Sequence, residues 1–128
     1  MARRSFYDVF FVLPDLREQG EWRPPVDVYE TRRGWLLKCD LAGVRPEDVR
    51  VRIECSRVTV EGLRRDLVME EVSARYSMEI SYNRFARTIE LPCRLDDPRT
   101  ELTVRDGFLL IHLRCLAPGK EGECEYQG

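Results

Sequence analysis

Histidine is almost absent from this chain, and several kinds of chemistry are excluded with it. His112 is the single histidine among 128 residues, so no metal or catalytic site built on several histidines can form. The phosphate-binding patterns Gly-x-x-x-x-Gly-Lys and Gly-x-Gly-x-x-Gly do not occur, and neither does the nucleophile pattern Gly-x-Ser-x-Gly. The adjacent carboxylates Glu47-Asp48 and Asp96-Asp97 are typical of solvated turns and caps. The sequence therefore predicts neither an enzyme nor a cofactor or metal site.

An excess of one charge and a long apolar run are also missing. The 21 basic and 23 acidic residues are mixed along the chain and leave a net charge of -2, without the basic patch of a nucleic-acid or membrane binder. No apolar run approaches the roughly 20 residues of a membrane span. The apolar stretch from Val9 to Leu13 is too short for the core of a signal peptide. We therefore expect a cytoplasmic protein whose partners are neither nucleic acids nor membranes.

The cysteines show no pattern that indicates a structural role. There are 5 of them, an odd number, and no Cys-x-x-Cys occurs, so neither a disulfide framework nor a zinc site is predicted. Cys39 and Cys55 lie in strand-like runs, where a reduced cysteine behaves as a small apolar residue. Cys124 lies in the polar tail and is a candidate reactive thiol, although no neighbouring base favours its reactivity.

Pattern and composition divide the chain into an arm (residues 1–23), a β-rich body (residues 24–115) and a polar tail (residues 116–128). In the arm, apolar residues at i, i+3, i+4 and i+7 predict a short amphipathic helix that ends at Pro14. Its apolar face needs a cover in water, which is either another protein or a contact within the assembly or the chain. That face consists of Phe6, Val9, Phe10 and Leu13.

The body alternates between apolar and polar residues with a period of two, which predicts half-buried strands. Asp106-Gly107 is a strong hairpin signal, and Arg32-Arg33-Gly34 and Cys55-Ser56 are further turns. The segment from Phe108 to Leu113 is apolar on both faces, which is typical of a strand covered on both sides. Many short strands with frequent turns predict an antiparallel β-sandwich. The other alternating segments are Val26–Tyr29, Trp35–Leu41, Val49–Cys55, Val58–Glu61, Phe85–Leu91 and Leu102–Arg105.

Five motifs stand in order along this body. They are Pro25-Val26-Asp27-Val28-Tyr29-Glu30-Thr31, Asp40-Leu41-Ala42-Gly43-Val44-Arg45-Pro46-Glu47-Asp48-Val49, Val58-Thr59-Val60-Glu61-Gly62, Phe85-Ala86-Arg87-Thr88-Ile89-Glu90-Leu91-Pro92 and Leu102-Thr103-Val104-Arg105-Asp106-Gly107-Phe108-Leu109. Together they resemble the alpha-crystallin domain of small heat-shock proteins of the bacterial and plant type. Leu63 and Asp106 depart from the family's usual Glu and Asn.

This resemblance implies an all-β protein with the immunoglobulin-like antiparallel β-sandwich of the alpha-crystallin domain. It also implies an ATP-independent chaperone of the stress response, a holdase that binds the exposed apolar surface of unfolding client proteins. The alternative is an interaction module on the same sandwich, such as an adaptor or a structural component, that is not a holdase.

The resemblance further implies how two chains pair. Arg87 matches the family's signature arginine at the dimer interface, where a buried charge needs a partner. Its alternative is a strand-end arginine that reaches water. The segment between Leu63 and Ser81 is too long for a tight hairpin, and in the family such a loop carries a strand across to the partner's sheet. A strand-exchanged homodimer is expected, with a disordered loop as the alternative. The alternating residues on one face of this loop are Val72, Ala74, Tyr76 and Met78.

A second candidate client or assembly surface is the groove between the fourth and eighth strands of the family fold. Here it corresponds to Val51, Ile53, Leu102 and Val104, which are alternatively plain sandwich core. Residues 116–128 lack the Ile-x-Ile or Ile-x-Val tripeptide that docks in this groove in family members. This departure predicts dimers or small assemblies of dimers.

Overall fold

The computed structural model of the protein describes residues 22–67, 70–117 and 119. The described residues contain seven β-strands and two short 3-10 turns, Pro46–Asp48 and Asp97–Arg99. The strands are β1 (Val26–Glu30), β2 (Gly34–Asp40), β3 (Val49–Glu54), β4 (Arg57–Arg64), β5 (Asn83–Glu90), β6 (Glu101–Arg105) and β7 (Phe108–Arg114). The short helix predicted for the arm, ending at Pro14, lies outside the described residues.

The strands form two antiparallel sheets, one in the order β1-β2-β7-β6 and the other in the order β3-β4-β5. This arrangement confirms the predicted β-sandwich. The hairpin between β6 and β7 turns at Asp106 and Gly107, whose φ angles of 52° and 85° suit a two-residue turn. Gly62 in β4 is required because a Cβ atom there would lie 2.2 Å from the carbonyl oxygen of Asp48.

The apolar positions of the alternating pattern meet between the two sheets. Register places Leu37 opposite Ile111 in one sheet and Val60 opposite Arg87 in the other, so that these positions point to the same side of each sheet. Cys39 is a free and buried thiol, as expected, and its burial raises the pKa to about 11. The core consists of Leu37, Cys39, Leu41, Val58, Val60, Phe85, Leu91, Leu95, Leu109, Ile111 and Leu113.

The contacts of the segment before β1 show which edges of the two sheets lie together. The Trp22 amide donates a hydrogen bond to the Arg84 carbonyl (3.1 Å), and Arg87 Nη1 donates to the Pro24 carbonyl (2.7 Å). The chain therefore enters β1 along β5. Because β1 and β5 share one side of the sandwich, the strand orders leave β6 and β3 together at the opposite side.

One sequence prediction about the strands is wrong for the described residues. β7 is covered on one face only, since Leu109, Ile111 and Leu113 are buried whereas Phe108 and His112 are exposed. On this outer face Lys38 Nζ lies 5.4 Å from the Tyr29 ring centre and 5.5 Å from that of Phe108. The strand expected over Val72 to Met78 requires the sheet edge of a partner chain, and it is not formed in this single chain.

The expectation that no disulfides form is also wrong. Cys93 and Cys115 are joined by a disulfide, with Cα atoms 5.9 Å apart. Cys55, expected to be reduced, is disulfide-bonded as well. Sequence spacing did not indicate the Cys93–Cys115 pair because its two members, 22 residues apart, meet only where the chain crosses between sheets.

Candidate functional site

The inner face of β6 is apolar but uncovered. Leu102 lies opposite Ile111 and Val104 opposite Leu109, so both belong to the face that builds the core. Their neighbours on β7 are buried, yet Leu102 is 53% exposed and Val104 is 57% exposed. The reading of these two residues as plain core is therefore wrong. They are core-type side chains left open because β6 is an edge strand.

The facing edge, β3, supplies the second apolar row. Val51 lies opposite Val60 and Ile53 opposite Val58, and both are half-buried against the core. Since strand order makes β3 and β6 edge strands on the same side of the sandwich, we infer that their inner faces border one apolar opening. We call this opening, lined by Val51, Ile53, Leu102 and Val104, the edge groove. Edge strands also present unpaired backbone N–H and C=O groups, so the groove offers hydrogen bonds as well as apolar contact.

The loop between β4 and β5 forms a second exposed apolar surface. Val72, Met78 and Ile80 are 56%, 49% and 61% exposed, and Tyr76 is fully exposed at 102%. Ala74 is exposed too. The row extends to Ile80, which the sequence analysis did not include although it continues the same alternation. We call Val72, Ala74, Tyr76, Met78 and Ile80 the loop row.

Arg64 fixes the base of this loop, and sequence reasoning missed it. Its Nε donates to the Ser81 carbonyl at 2.8 Å and its Nη1 to the Ala42 carbonyl at 3.1 Å. The guanidinium lies 3.5 Å from the ring centre of Trp22, which is a cation–π distance. Burial lowers the pKa of Arg64, opposed by the charge of Tyr82 and Asp40. No local signal identifies this residue, because an arginine at a strand end ordinarily reaches solvent.

Arg87 lies on the inner face of β5, between Phe85 and Ile89, opposite Val60. It is half-buried, and its described hydrogen bond goes to the Pro24 carbonyl rather than to a carboxylate. Burial is the main cause that lowers the pKa of this guanidinium, and the neighbouring charge of Arg23 lowers it further. The side chain is thus held away from bulk water with its charge only partly compensated.

Other candidate chemistry is limited. Within residues 22–67, 70–117 and 119, no three His, Cys, Asp or Glu side chains group closely enough to hold a metal ion. The same residues contain no helix with the length and hydropathy of a membrane span. The candidate surface of Phe6, Val9, Phe10 and Leu13 lies outside the described residues.

One family model and several known proteins are similar in sequence to this chain. Residues 27–125 match the model of the Hsp20/alpha crystallin family. The chain is 32% identical to heat shock protein 16 of Schizosaccharomyces pombe, over 84% of this chain and 78% of that protein. It is 25% identical to small heat shock protein C2 of Rickettsia felis, over 97% of this chain and 81% of that protein. It is 32% identical to spore protein SP21 of Stigmatella aurantiaca, of which it spans about half, 53%.

Solved structures of similar proteins superpose on this chain. Heat shock protein 16.0 from Schizosaccharomyces pombe superposes with a TM-score of 0.67 and 27% identity, covering 83% of this chain and 96% of that chain. The hspA structure from Xanthomonas axonopodis superposes with a TM-score of 0.64 and 26% identity, covering 73% of this chain and 94% of that chain. Members of this family are oligomeric chaperones that bind unfolded proteins, which confirms the prediction that the chain is not an enzyme. The fold, the family match and these relatives together show that the chain belongs to the Hsp20/alpha crystallin family of small heat-shock proteins.

Proposed function

We propose that this protein is an ATP-independent holdase that binds the apolar surface of unfolding clients in its edge groove. The observation that carries the proposal is the exposure of Leu102 and Val104, at 53% and 57%, on the inner face of an edge strand. Such side chains are normally covered, so a client segment laid between β3 and β6 would complete the sandwich edge. It would gain edge hydrogen bonds and apolar burial together.

The expected strength of this contact suits a holdase. Fully burying a leucine or valine side chain stabilises by roughly 1.5–3 kcal/mol, and here about half of each is still exposed. The two residues therefore contribute on the order of 2 kcal/mol together, before ordering costs. A contact of this size is weak and reversible, so that a client is released without ATP.

The functional unit we propose is a homodimer made by strand exchange. The loop row is apolar, alternating and exposed in the single chain, and a strand there needs an edge to pair with. β1 is an edge strand of the four-stranded sheet and carries Val28 at 41% exposure. The loop row of each chain would pair with β1 of the other, which is the reciprocal contact of a two-fold dimer. Arg64 supports this role because it fixes the direction in which the loop leaves the sandwich.

The proposed function also assigns roles to the segments of the chain, its location and its assembly. Residues 24–115 would form the alpha-crystallin domain, with residues 1–23 as the arm and 116–128 as the tail. The face of Phe6, Val9, Phe10 and Leu13 would serve as a further client or assembly surface. We place the protein in the cytoplasm, without nucleic-acid or membrane partners, and expect a dimer or a small assembly of dimers.

A charge placed in the edge groove tests the holdase proposal. A heat-labile enzyme is warmed with the protein, and light scattering reports its aggregation. The wild type is expected to suppress scattering near equimolar ratio, with the same result when ATP is added. The double variant Leu102→Asp, Val104→Asp is expected to lose most of this protection, because a client would have to bury two carboxylates.

Thr103→Asp is the matched control, since residue 103 lies on the same strand but faces outward, opposite Leu110. It should protect like the wild type. A wild type that leaves scattering unchanged would favour the alternative of a non-holdase interaction module. Full protection by the double variant, with its sandwich intact by circular dichroism, would exclude the edge groove as the client site.

A further inference from the structure

The disulfide between Cys93 and Cys115 stands where the chain crosses from one sheet to the other. Cys93 follows β5 of the three-stranded sheet, and Cys115 follows directly on β7 of the four-stranded sheet. Both cysteines are half-buried, whereas the free thiol of Cys39 is fully enclosed in the core. The Cys93–Cys115 disulfide is therefore more accessible to solvent than the thiol of Cys39.

Backbone hydrogen bonds fasten the same crossing. Leu95 forms an isolated antiparallel bridge with Cys115. The Asp96 amide donates to the Arg114 carbonyl, the Leu116 amide to the Arg94 carbonyl, and the Leu95 amide to the Cys55 carbonyl, each at 2.8 Å. The disulfide thus locks a short ribbon that already joins the end of β7 to the turn after β3.

This ribbon determines how firmly one wall of the edge groove is held. Only the segment 96–100, with its 3-10 turn, separates Leu95 from the start of β6. β6 is exposed along its whole length, and among the described strands its ladder partner is β7 alone. Anchoring at Cys93–Cys115 therefore limits the motion of Leu102 and Val104 relative to β3.

A cationic cavity leads to the disulfide. It has a volume of about 460 Å³, and its wall includes Cys115, three arginines and one carboxylate, which are Arg33, Arg99, Arg114 and Asp96. Arg99 Nε lies 3.5 Å from Asp96 Oδ2, while Arg33 and Arg114 form no ion pair with any residue the structure describes. Positive charge of this kind stabilises a thiolate and attracts an anionic thiol.

We propose that Cys93–Cys115 is a reversible thiol–disulfide site, reached at Cys115 through the arginine-lined cavity by a small anionic thiol. Its redox state controls how firmly β6 borders the edge groove, and this last part rests on the proposed function. In the cytoplasm, the location proposed above, disulfides are usually transient and redox-sensing, which is consistent with a reversible pair.

The exchange is a balanced two-electron step. An incoming thiolate attacks the sulfur of Cys115, forms a mixed disulfide with it, and releases Cys93 as a thiolate that takes up a proton. A second thiolate attacks the incoming sulfur of that mixed disulfide and releases Cys115, which is protonated in turn. The protein gains two thiols, and the two small thiols become one small disulfide. Oxidation by the small disulfide is the reverse.

The first experiment equilibrates the full chain with set ratios of reduced and oxidised glutathione, traps free thiols by alkylation and maps the peptides by mass spectrometry. Cys93 and Cys115 are expected to convert together with a single two-electron midpoint, independently of Cys55. In the Cys93→Ser variant the glutathione adduct should form on Cys115. A chain in which Cys93 and Cys115 stay unlinked at every ratio overturns the site.

The second experiment tests the route. Reduction by glutathione, which is anionic, is compared with reduction by the neutral thiol 2-mercaptoethanol. The double variant Arg33→Gln, Arg114→Gln should slow the glutathione reaction about fivefold and leave the neutral reaction nearly unchanged. Arg50→Gln, which removes an exposed arginine from β3, is the control and should change neither. Equal rates of glutathione reduction in the wild type and the double variant overturn the route.

The third experiment measures how firmly β6 is held at the edge groove in each redox state. Reduced protein, or the variant Cys93→Ser, Cys115→Ser, should show amide hydrogen exchange about tenfold faster in β6 than the oxidised protein, with little change in β4. If hydrogen exchange in β6 is the same in both redox states, the disulfide does not determine how firmly β6 borders the edge groove. Client protection is measured on the same samples. If it is absent in both redox states while the titration behaves as expected, the holdase proposal fails and the thiol–disulfide site stands.

Discussion

Removing the Cys93–Cys115 link under oxidising conditions should lower the free energy of unfolding by about 3 kcal/mol. The two cysteines are 22 residues apart, and closing a loop of that length removes about 11 cal/mol/K of entropy from the unfolded chain. At room temperature this difference corresponds to the stated value. For a body of this size it lowers the melting temperature by more than about 10 °C.

The assay is urea unfolding of the oxidised wild type and of the variant Cys93→Ser, Cys115→Ser, followed by circular dichroism. The midpoint should fall, and the exchange of two half-buried cysteines for serine should itself contribute little. The variant Cys93→Ala, Cys115→Ala is the control for side-chain polarity and should fall by a similar amount. If either variant unfolds within about 1 kcal/mol of the wild type, the link does not constrain the unfolded chain, and the loop-entropy argument is wrong.

Two further perturbations address the dimer. Arg87→Ala should cost about 2 kcal/mol, because it leaves the carbonyl of the buried Pro24 without its charged donor, and it should weaken dimerisation. Arg87→Lys should recover part of the stability, and a melting temperature and a dimer unchanged in Arg87→Ala would contradict both roles. Replacing Asp66 to Ser77 with a short Gly-Ser turn should give a folded monomer or an insoluble product by mass measurement in solution. A folded dimer would exclude strand exchange.

Much of the fold could be predicted from the sequence because a strand's side chains alternate between two faces. The period-two runs identified the strands of both sheets, and Asp106-Gly107 identified the turn whose positive φ angles the structure contains. The same alternation put Arg87 on the inner face with Phe85 and Ile89. These features are local, since each depends on a few consecutive residues and on the backbone geometry they favour.

Alternation alone could not distinguish core from groove. Leu102 and Val104 carry the same pattern as Leu109 and Ile111, yet one pair is open and the other is buried. The difference depends on β6 being the last strand of its sheet, so that no further strand of the described residues lies beside it to help cover its inner face. Position in a sheet is a property of strand order and not of any one strand.

The arginines and cysteines of the candidate sites depended still more on the tertiary structure. Arg64 contacts Ser81, Ala42 and Trp22, which come from three separate parts of the chain. Cys93 and Cys115 meet only because the chain crosses between sheets and returns along β7. The sequence by itself determined which residues favour strands and turns. The packing of the two sheets decided which residues share a sheet edge, contact Arg64 or form a disulfide. Those contacts join residues that lie far apart along the chain.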